Sequence, residues 1–577
     1  MDYLRKKSSL ISIVILFIVC LLLYFPNIGC YPFIDTDETK FVSIAKDMLN
    51  YSDWINIKVN GENLLDISPL FFWITNLSCL LFGKISNEIV RLPISLVTAF
   101  GIIFLYICLK KLLRKNYSFI ISLIMATCLG TVVFSRLATN DIIFVITTMI
   151  SILFSYLTIF STEKNDKTKY WIGTYIFCAL SILCSGLFGL FIVFLSVLAM
   201  HIFAGKLKEI FIPKNIIIGL LIFSIFLLPW HLIMLYKHKF LFIREYIQIY
   251  NFLNYFNIKN TLIVMGFFIL GFSPWSFSFL WILGCKAKDI LNSIFSYFKD
   301  NSEEKLKEKW DNLSKTDKFL SLNTIVFFTS LIFALLYGSK YTFLILFLMF
   351  PASCISGHYW YEYMIRKEHD KSIFFATMIP NLILIVCSLL GLFGHNIINK
   401  WLFQGLNHLI LPLVIIFFVI PVISIFAVIL KSRIVPYASN IILMISLSFV
   451  ITPTIFNFIA LNGGENDLIS FAQIANKDNA PLTAFIPAKK YSLIYYYDKP
   501  ITFHNNKDFD WLEKYLKENP YTYVVVEIKD MWDIEAKNIK YMLLDSGKRY
   551  CLIQHMATSL QEIQETEENT EPEVIVY

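Results

Sequence analysis

The chain has 577 residues, of which 57% are hydrophobic, 16% aromatic and only 16% charged, with 54 Phe and a net charge of +7. Soluble domains run near ~45–50% apolar and roughly 25% charged, which excludes a single soluble core, a disordered chain and a disulfide-stapled secreted chain. What remains is a polytopic membrane protein with room for roughly a dozen helices plus a soluble part, whose basic excess belongs to cytoplasmic loops rather than to nucleic acid.

The first 25 residues, MDYLRKKSSLISIVILFIVCLLLYF, begin basic and stay apolar to Phe25. No small-residue cleavage site follows, so they predict an uncleaved first span. Further apolar segments fall near 88–109, 117–135, 141–160, 170–184, 186–203, 215–235, 260–284, 321–338, 341–362, 372–393, 409–430 and 437–461, about thirteen spans in all. Residues 68–82 are too short to cross comfortably and predict an interfacial helix or the start of the second span. Lysines and arginines precede span 1 and follow every even-numbered span: Lys110 and Lys111, Lys164 to Lys169, Lys206 to Lys214, the loop from Lys286 to Lys318, Arg366 to Lys371, and Lys431 with Arg433. The charge bias therefore places the N-terminus in the cytoplasm and, with an odd span count, the C-terminus outside. The 11 cysteines are scattered without a CxxC pair, which suggests neither a zinc ribbon nor a redox couple.

Past residue 461 the apolar runs shorten to PLTAFI, YSLIYYY, TYVVVEI and RYCLIQ, with the amphipathic DFDWLEKYLKEN between them. Strands alternating with helices predict a small α/β domain over 462–577, ending in an acidic tail from Gln561. The transmembrane part is then 1–461, with 34–74 as its first outside loop.

That loop holds the densest group of acids. In IDTDETKFVSIAKDMLN, Phe41, Ile44, Ala45, Met48 and Leu49 follow helical spacing, and extending the helix back puts Asp37 on the same face. Asp37 is then expected to point toward packed protein. Asp35 and Glu38 have the spacing of a capping pair, so the same acids also suit a plain helix start. The next outside turn, SRLATND, carries Arg136 and Asp141 on the same side of the membrane. Two carboxylates converging on one outside cavity can orient a nucleophile or take its proton.

These residues resemble the GT-C glycosyltransferases related to lipid A aminoarabinose transferase and the protein O-mannosyltransferases. The resemblance runs through DETKFVSIAKDMLNYSDWINIKVNG, EIVRLP ending at Pro93, SRLATND, Pro229-Trp230, GFSPWSF at 271–277 and Gly338-Ser339-Lys340, in the family's order from about 35 to 351. It implies an inverting single displacement in which a sugar leaves a polyprenyl-phosphate carrier for an acceptor at the outer face. Asp37 is then the central carboxylate and Asp141 its support, with Glu38 and Asp66 as acceptor-side or supporting acids. Lys340, Arg136 and Lys237 are the candidate cations for the departing phosphate, against the alternatives of snorkelling and headgroup anchoring; His238 and Arg244 lie in the same loop as Lys237. The chain departs from the pattern where Ile67 and Ser185 stand for lysines, and where the family's histidine falls at Tyr250 or Asn251 and its arginine at Asn254. These changes leave the donor site's make-up open, and with it metal dependence; no cofactor beyond the lipid-linked sugar is implied with certainty. The implied partners are membrane lipids, an undecaprenyl-phosphate sugar and a lipid A-type acceptor, in a bacterial inner membrane with the C-terminal domain periplasmic.

Two other readings stand beside this one: a protein O-mannosyltransferase-like enzyme, and a lipid or sugar transporter without catalysis. Ion-coupled carriers place ionisable groups inside their spans, whereas here the charges cluster at span ends, and no GxxxxGK[ST] serves an ATP-driven pump.

Overall fold

The computed structural model describes residues 2–34, 37–248, 258–284, 303–366, 370–393 and 407–556. It divides into two units: Met1–Tyr31, Asp53–Ile57 and Leu64–Thr454 form the first, and Pro32–Ser52, Lys58–Asn63 and Ile455–Tyr577 the second. The first outside loop is thus shared between units, and its helical part folds with the C-terminal residues.

The first unit is helical. Its elements are α1 (Asp2–Tyr24), α3 (Leu70–Phe82), α4 (Asn87–Leu112), α5 (Lys115–Thr127), α6 (Leu129–Phe134), α7 (Asp141–Phe160), α8 (Lys164–Ser185), α9 (Leu187–Phe203), α10 (Pro213–Phe226), α11 (Leu228–Gln248), α12 (Ile258–Gly271), α13 (Ser276–Gly284), α14 (Glu303–Asn312), α15 (Lys315–Tyr337), α16 (Thr342–Phe347), α17 (Met349–Tyr361), α18 (Asp370–Phe393), α19 (Asn407–Ile429) and α20 (Val435–Gly463), the last running on into the second unit. Among the described residues five helices are long and apolar enough to cross a membrane, or seven if each of two bent pairs is one crossing; five shorter apolar helices accompany them. Among the described residues the expected segments are therefore helical, several of them broken, and helix length alone does not confirm thirteen crossings. α3 is one of the shorter helices, and Leu77, Leu80, Leu81 and Phe82 on it are exposed, an apolar face suited to lipid.

Helix α7 runs through the middle of this unit and is almost wholly buried. It accepts close neighbours because small polar side chains line it. Thr148 and Ser181 of α8 share a hydrogen bond of 2.6 Å, and Ser151 donates to the Thr174 carbonyl at 2.8 Å. A Cβ at Gly101 of α4 would stand 2.6 Å from Ile146 of α7, so only glycine allows that approach.

The 117–135 segment, expected as one helix, breaks at Cys128, whose backbone is extended. A broken span leaves amide groups that hydrocarbon cannot satisfy. Here the Leu129 N–H donates to the Ser273 carbonyl at 2.9 Å, in the bend between α12 and α13, whose axes differ by 118°. The Trp275 indole donates to Thr127 Oγ1 at 3.0 Å. The GFSPWSF motif thus supplies the partners that make the neighbouring break stable.

The second unit contains α2 (Asp37–Asn50), the hairpin β1 (Lys58–Val59) and β2 (Glu62–Asn63), and an α/β domain. Its five strands, β3 (Leu482–Phe485), β4 (Thr502–His504), β5 (Tyr523–Glu527), β6 (Tyr541–Ser546) and β7 (Tyr550–His555), lie in the order β4-β3-β5-β7-β6. β4, β3 and β5 are parallel; β7 and β6 complete the sheet antiparallel. Alternation along the strands feeds two cores. Val525 and Leu552 pack with Leu468, Phe471 and Ala472 of α21 (Glu465–Lys477). Val524, Val526 and Ile553 pack with Leu512 and Leu516 of α23 (Phe509–Glu518) and Ile534 of α24 (Met531–Ala536). The run YSLIYYY is not a strand. It forms α22 (Tyr491–Tyr496), which buries Leu493 in the first of these cores and has α2 against it. The acidic tail from Gln561 lies outside the described residues.

Candidate active site

In the first unit the helix ends that the charge bias assigns to the outer side come together around Asp141. Asp141 opens α7 and is 6% exposed. A carboxylate there is favoured by the helix N-terminus, and the Thr342 hydroxyl, at the first residue of α16, donates to its Oδ1. This contact joins the second acidic turn to the segment that carries Lys340. The neighbouring Asn140 donates from Nδ2 to the Cys184 carbonyl at 3.1 Å and to Ser185 Oγ at 3.2 Å, tying in the end of α8. Ser185, where the family pattern has a lysine, therefore meets α7 as a hydrogen-bond acceptor. Phe188 at the start of α9 packs at 5.1, 5.0 and 5.8 Å from the rings of Tyr337, Tyr341 and Phe343. Lys340 is exposed, with its ammonium 5.2 Å from the centre of the Tyr341 ring.

Arg136 does not fit the role expected for it. It is 0% exposed, and its guanidinium donates to the Leu23 and Ser448 carbonyls and to the Ser448 hydroxyl. Its donors are spent on tying α1 and α20 to the turn before α7, which removes it from the phosphate-binding candidates. Arg91 of the EIVRLP motif is a second such knot. It donates to the Ile28 and Tyr31 carbonyls at 2.8 and 2.9 Å and lies 4.0 Å from the centre of the Tyr31 ring. Tyr31 in turn donates to the Arg136 carbonyl at 2.9 Å. Replacing Arg136 with Met should therefore act on stability, since it strands buried acceptors that had a charged donor. A loss of about 3 kcal/mol is expected, read as a fall in the thermal unfolding midpoint of the purified protein, with the donor KM of surviving enzyme unchanged.

A separate group surrounds residues 53–57. Asp53 accepts from the Asn56 Nδ2 at 2.6 Å and from the Asn56 and Ile55 backbone N–H groups. Burial pushes its carboxyl up, but these hydrogen bonds and the nearby Lys237 together hold it below the usual carboxylate range. His238 Nε2 meets Asn56 Oδ1 at 3.1 Å. The Trp230 and Trp73 indoles donate to the Ile55 and Trp54 carbonyls at 3.1 and 2.8 Å. The Pro229-Trp230 motif thus fixes this stretch of the loop. Lys237 is exposed, next to the break in α11 at Lys239, where φ is 51°. Asp66 is also exposed, three residues before the Pro69 that starts α3. Tyr250, Asn251 and Asn254 lie outside the described residues.

In the second unit Asp37 is the first residue of α2, and it is exposed rather than facing packed protein. The helix turns its buried face through Phe41, Val42, Ile44, Ala45 and Met48, and its first residue lies outside that face. The buried acid is Glu38, 1% exposed, whose carboxylate accepts from the Ile34 N–H at 3.1 Å. The Thr39 hydroxyl donates to the Ile34 carbonyl at 2.9 Å. Glu38 and Thr39 therefore form the helix start, and Asp37 keeps its carboxylate for other work. Asp35 lies outside the described residues. Among the described residues no three His, Cys, Asp or Glu side chains gather as metal ligands.

The fold defines the class. Crystal structures of ArnT from Cupriavidus metallidurans, bound to undecaprenyl phosphate and in the apo state, match this chain with TM-scores of 0.69 and 0.67, over 94% of it and 98% of theirs, at 14% identity. The chain shares the fold of these membrane proteins. Sequence narrows it further: a family model described as dolichyl-phosphate-mannose-protein mannosyltransferase matches residues 66–230. The undecaprenyl phosphate-alpha-4-amino-4-deoxy-L-arabinose arabinosyl transferase of Yersinia enterocolitica serotype O:8 / biotype 1B is 28% identical over 202 residues, 34% of this chain and 35% of that protein. In sequence the chain is similar to the mannosyltransferase family over residues 66–230 and to the aminoarabinose transferase over about a third of its length. The matched stretch spans about a third of that curated relative. The family-model match contains Asp66, Arg136, Asp141 and Ser185 but begins after Asp37.

Proposed function

We propose that this protein is an integral-membrane glycosyltransferase that moves a sugar from a polyprenyl-phosphate donor to lipid A or a related envelope lipid at the periplasmic face of a bacterial inner membrane. The observation that carries the reading is the family-model match over 66–230, which coincides with the helix ends gathered around Asp141. Likeness to the Yersinia aminoarabinose transferase favours the lipid branch over protein acceptors.

The reaction is a single displacement with inversion. An acceptor oxygen attacks the anomeric carbon, and the bond from that carbon to the carrier phosphate breaks. The phosphate leaves with the bonding electrons. If the attacking oxygen is a hydroxyl, its proton goes to Asp37, which stands at the exposed start of α2 with Glu38 and Thr39 already serving the helix. If it is a lipid phosphate, no proton moves and Asp37 orients the acceptor. Lys340 and Lys237 are the exposed cations that meet the charge growing on the departing phosphate. Asp141, held by Thr342, keeps the Lys340 segment against α7.

Mass spectrometry of envelope lipids from cells with and without the gene tests the assignment. Loss of a phosphate-linked hexosamine, pentosamine or hexose from lipid A is expected. A change confined to glycopeptides would move the reading to protein O-glycosylation, and unchanged lipids and glycopeptides would remove it.

A further inference from the structure

Helix α2 is held by the C-terminal residues of its own unit. The Ser43 hydroxyl lies 3.3 Å from the Tyr491 carbonyl, and Lys46 Nζ donates to the Tyr495 carbonyl at 2.7 Å while pairing with Asp498 at 3.3 Å. Phe33, just before the helix, sets its ring edge-on to Tyr495 at 5.2 Å. The hairpin that follows is tied in by two side chains, Glu62, which pairs at the surface with Lys489 at 2.6 Å, and Asn60. Asn60 and Gly61 form its turn with φ of 52° and 80°, the left-handed pair that suits a tight hairpin.

Asn60 also meets the sheet. β4 is an edge strand, so backbone groups on its open side lack a neighbouring strand. At Ile501, directly before β4, the Asn60 amide takes that neighbour's place. Its Nδ2 donates to the Ile501 carbonyl at 2.8 Å, and its Oδ1 accepts from the Ile501 N–H at 2.9 Å. The backbone N–H of the same residue donates to Asp47 Oδ2 on α2 at 3.1 Å. One residue thus bridges the sheet edge and the helix that begins at Asp37.

We propose that Asn60 is a positioning residue for sugar transfer: it clamps α2 to the edge of the C-terminal sheet and so fixes where Asp37 is presented. The proposal rests on the role given to Asp37 above. It makes the C-terminal domain a part of the catalytic apparatus, the mount of the first loop's helix.

The test uses the full-length protein with Asn60→Gly, since glycine keeps the positive-φ turn and removes only the amide. Hydrogen exchange should speed up in peptides covering 37–50 and 491–503 and stay unchanged in α7. kcat should fall about tenfold, because small misplacements of a reacting group are costly, while the donor KM stays within about twofold. Asn60→Asp, which keeps the acceptor toward the Ile501 N–H but loses the donor toward its carbonyl, should fall between the two. Unchanged exchange over 37–50 overturns the clamp. Faster exchange with unchanged kcat overturns its catalytic relevance. If Asn60→Gly does not fold, Lys46→Met, which loosens the same helix from Tyr495, decides by the same two readouts. If the wild-type protein transfers no sugar, the functional reading fails while the exchange measurement still decides whether Asn60 holds α2.

Discussion

Replacing Asp37 with Asn should cut sugar transfer by roughly 10³-fold, within the range expected when a general base is removed. The side chain is exposed at the first residue of α2, and the hydrogen bonds that start the helix belong to Glu38 and Thr39. The amide therefore changes charge and proton affinity without disturbing the fold. Insertion into membranes, yield and thermal unfolding should match the parent, and the loss should appear in kcat. Full activity in the variant would remove Asp37 from the reaction. The size of the loss also reports on the acceptor. If the attacking group is an already ionised phosphate, only orientation is lost and the drop should be nearer tenfold; if it is a hydroxyl, the full effect is expected.

Asp141→Asn should lower transfer by about 10²-fold, for a different reason. This carboxylate is buried and already accepts from Thr342. Its charge opens α7 where the helix dipole favours it, and its contact with Thr342 holds the Lys340 segment. The amide keeps the shape but loses the charge, and it places an N–H₂ group where one oxygen stood. Thr342→Val, which deletes the donor and retains the volume, should show the same defect in milder form, about tenfold. Steady-state kinetics with a synthetic polyprenyl-phosphate sugar checks both: a raised donor KM is expected because Lys340, proposed above to meet the phosphate, is no longer held. An unchanged rate in Asp141→Asn would leave the residue as a helix-end acid only.

The two acids show how much of the site could be read along the chain. Asp37 and Asp141 stand out because charges are scarce and sort to span ends, a pattern that composition alone imposes. The spacing puts Asp37 on the packed face whereas the structure exposes it, because helical periodicity assigns a face but not where the covering residues stop. Arg136 looked like a phosphate ligand for the same reason that Asp141 looked like a site: it is a charge at an outside turn. Its partners Leu23 and Ser448 are 113 and 312 residues away, so local sequence carries no sign that its donors are taken. Thr342 and Asn60 carry no signal along the chain, because a hydroxyl or an amide has no periodicity and no charge; its meaning lies wholly in the group that it meets.

The sequence by itself determined the apolar, polytopic membrane character of the chain, the clustering of its charges at the ends of apolar segments, and the GT-C resemblance. These follow from composition and from the order of short motifs, and both are local properties. Only the tertiary structure decided that helices break at Cys128 and near Ser273 and mend one another, that Arg91 and Arg136 are buried knots, that Glu38 rather than Asp37 is the buried acid at the start of α2, and that this helix folds with the C-terminal sheet. Each of these depends on a hydrogen bond or a packed face supplied from a distant part of the chain. Burial and pairing are properties of the folded neighbourhood, and the spacing of residues along the chain does not contain them.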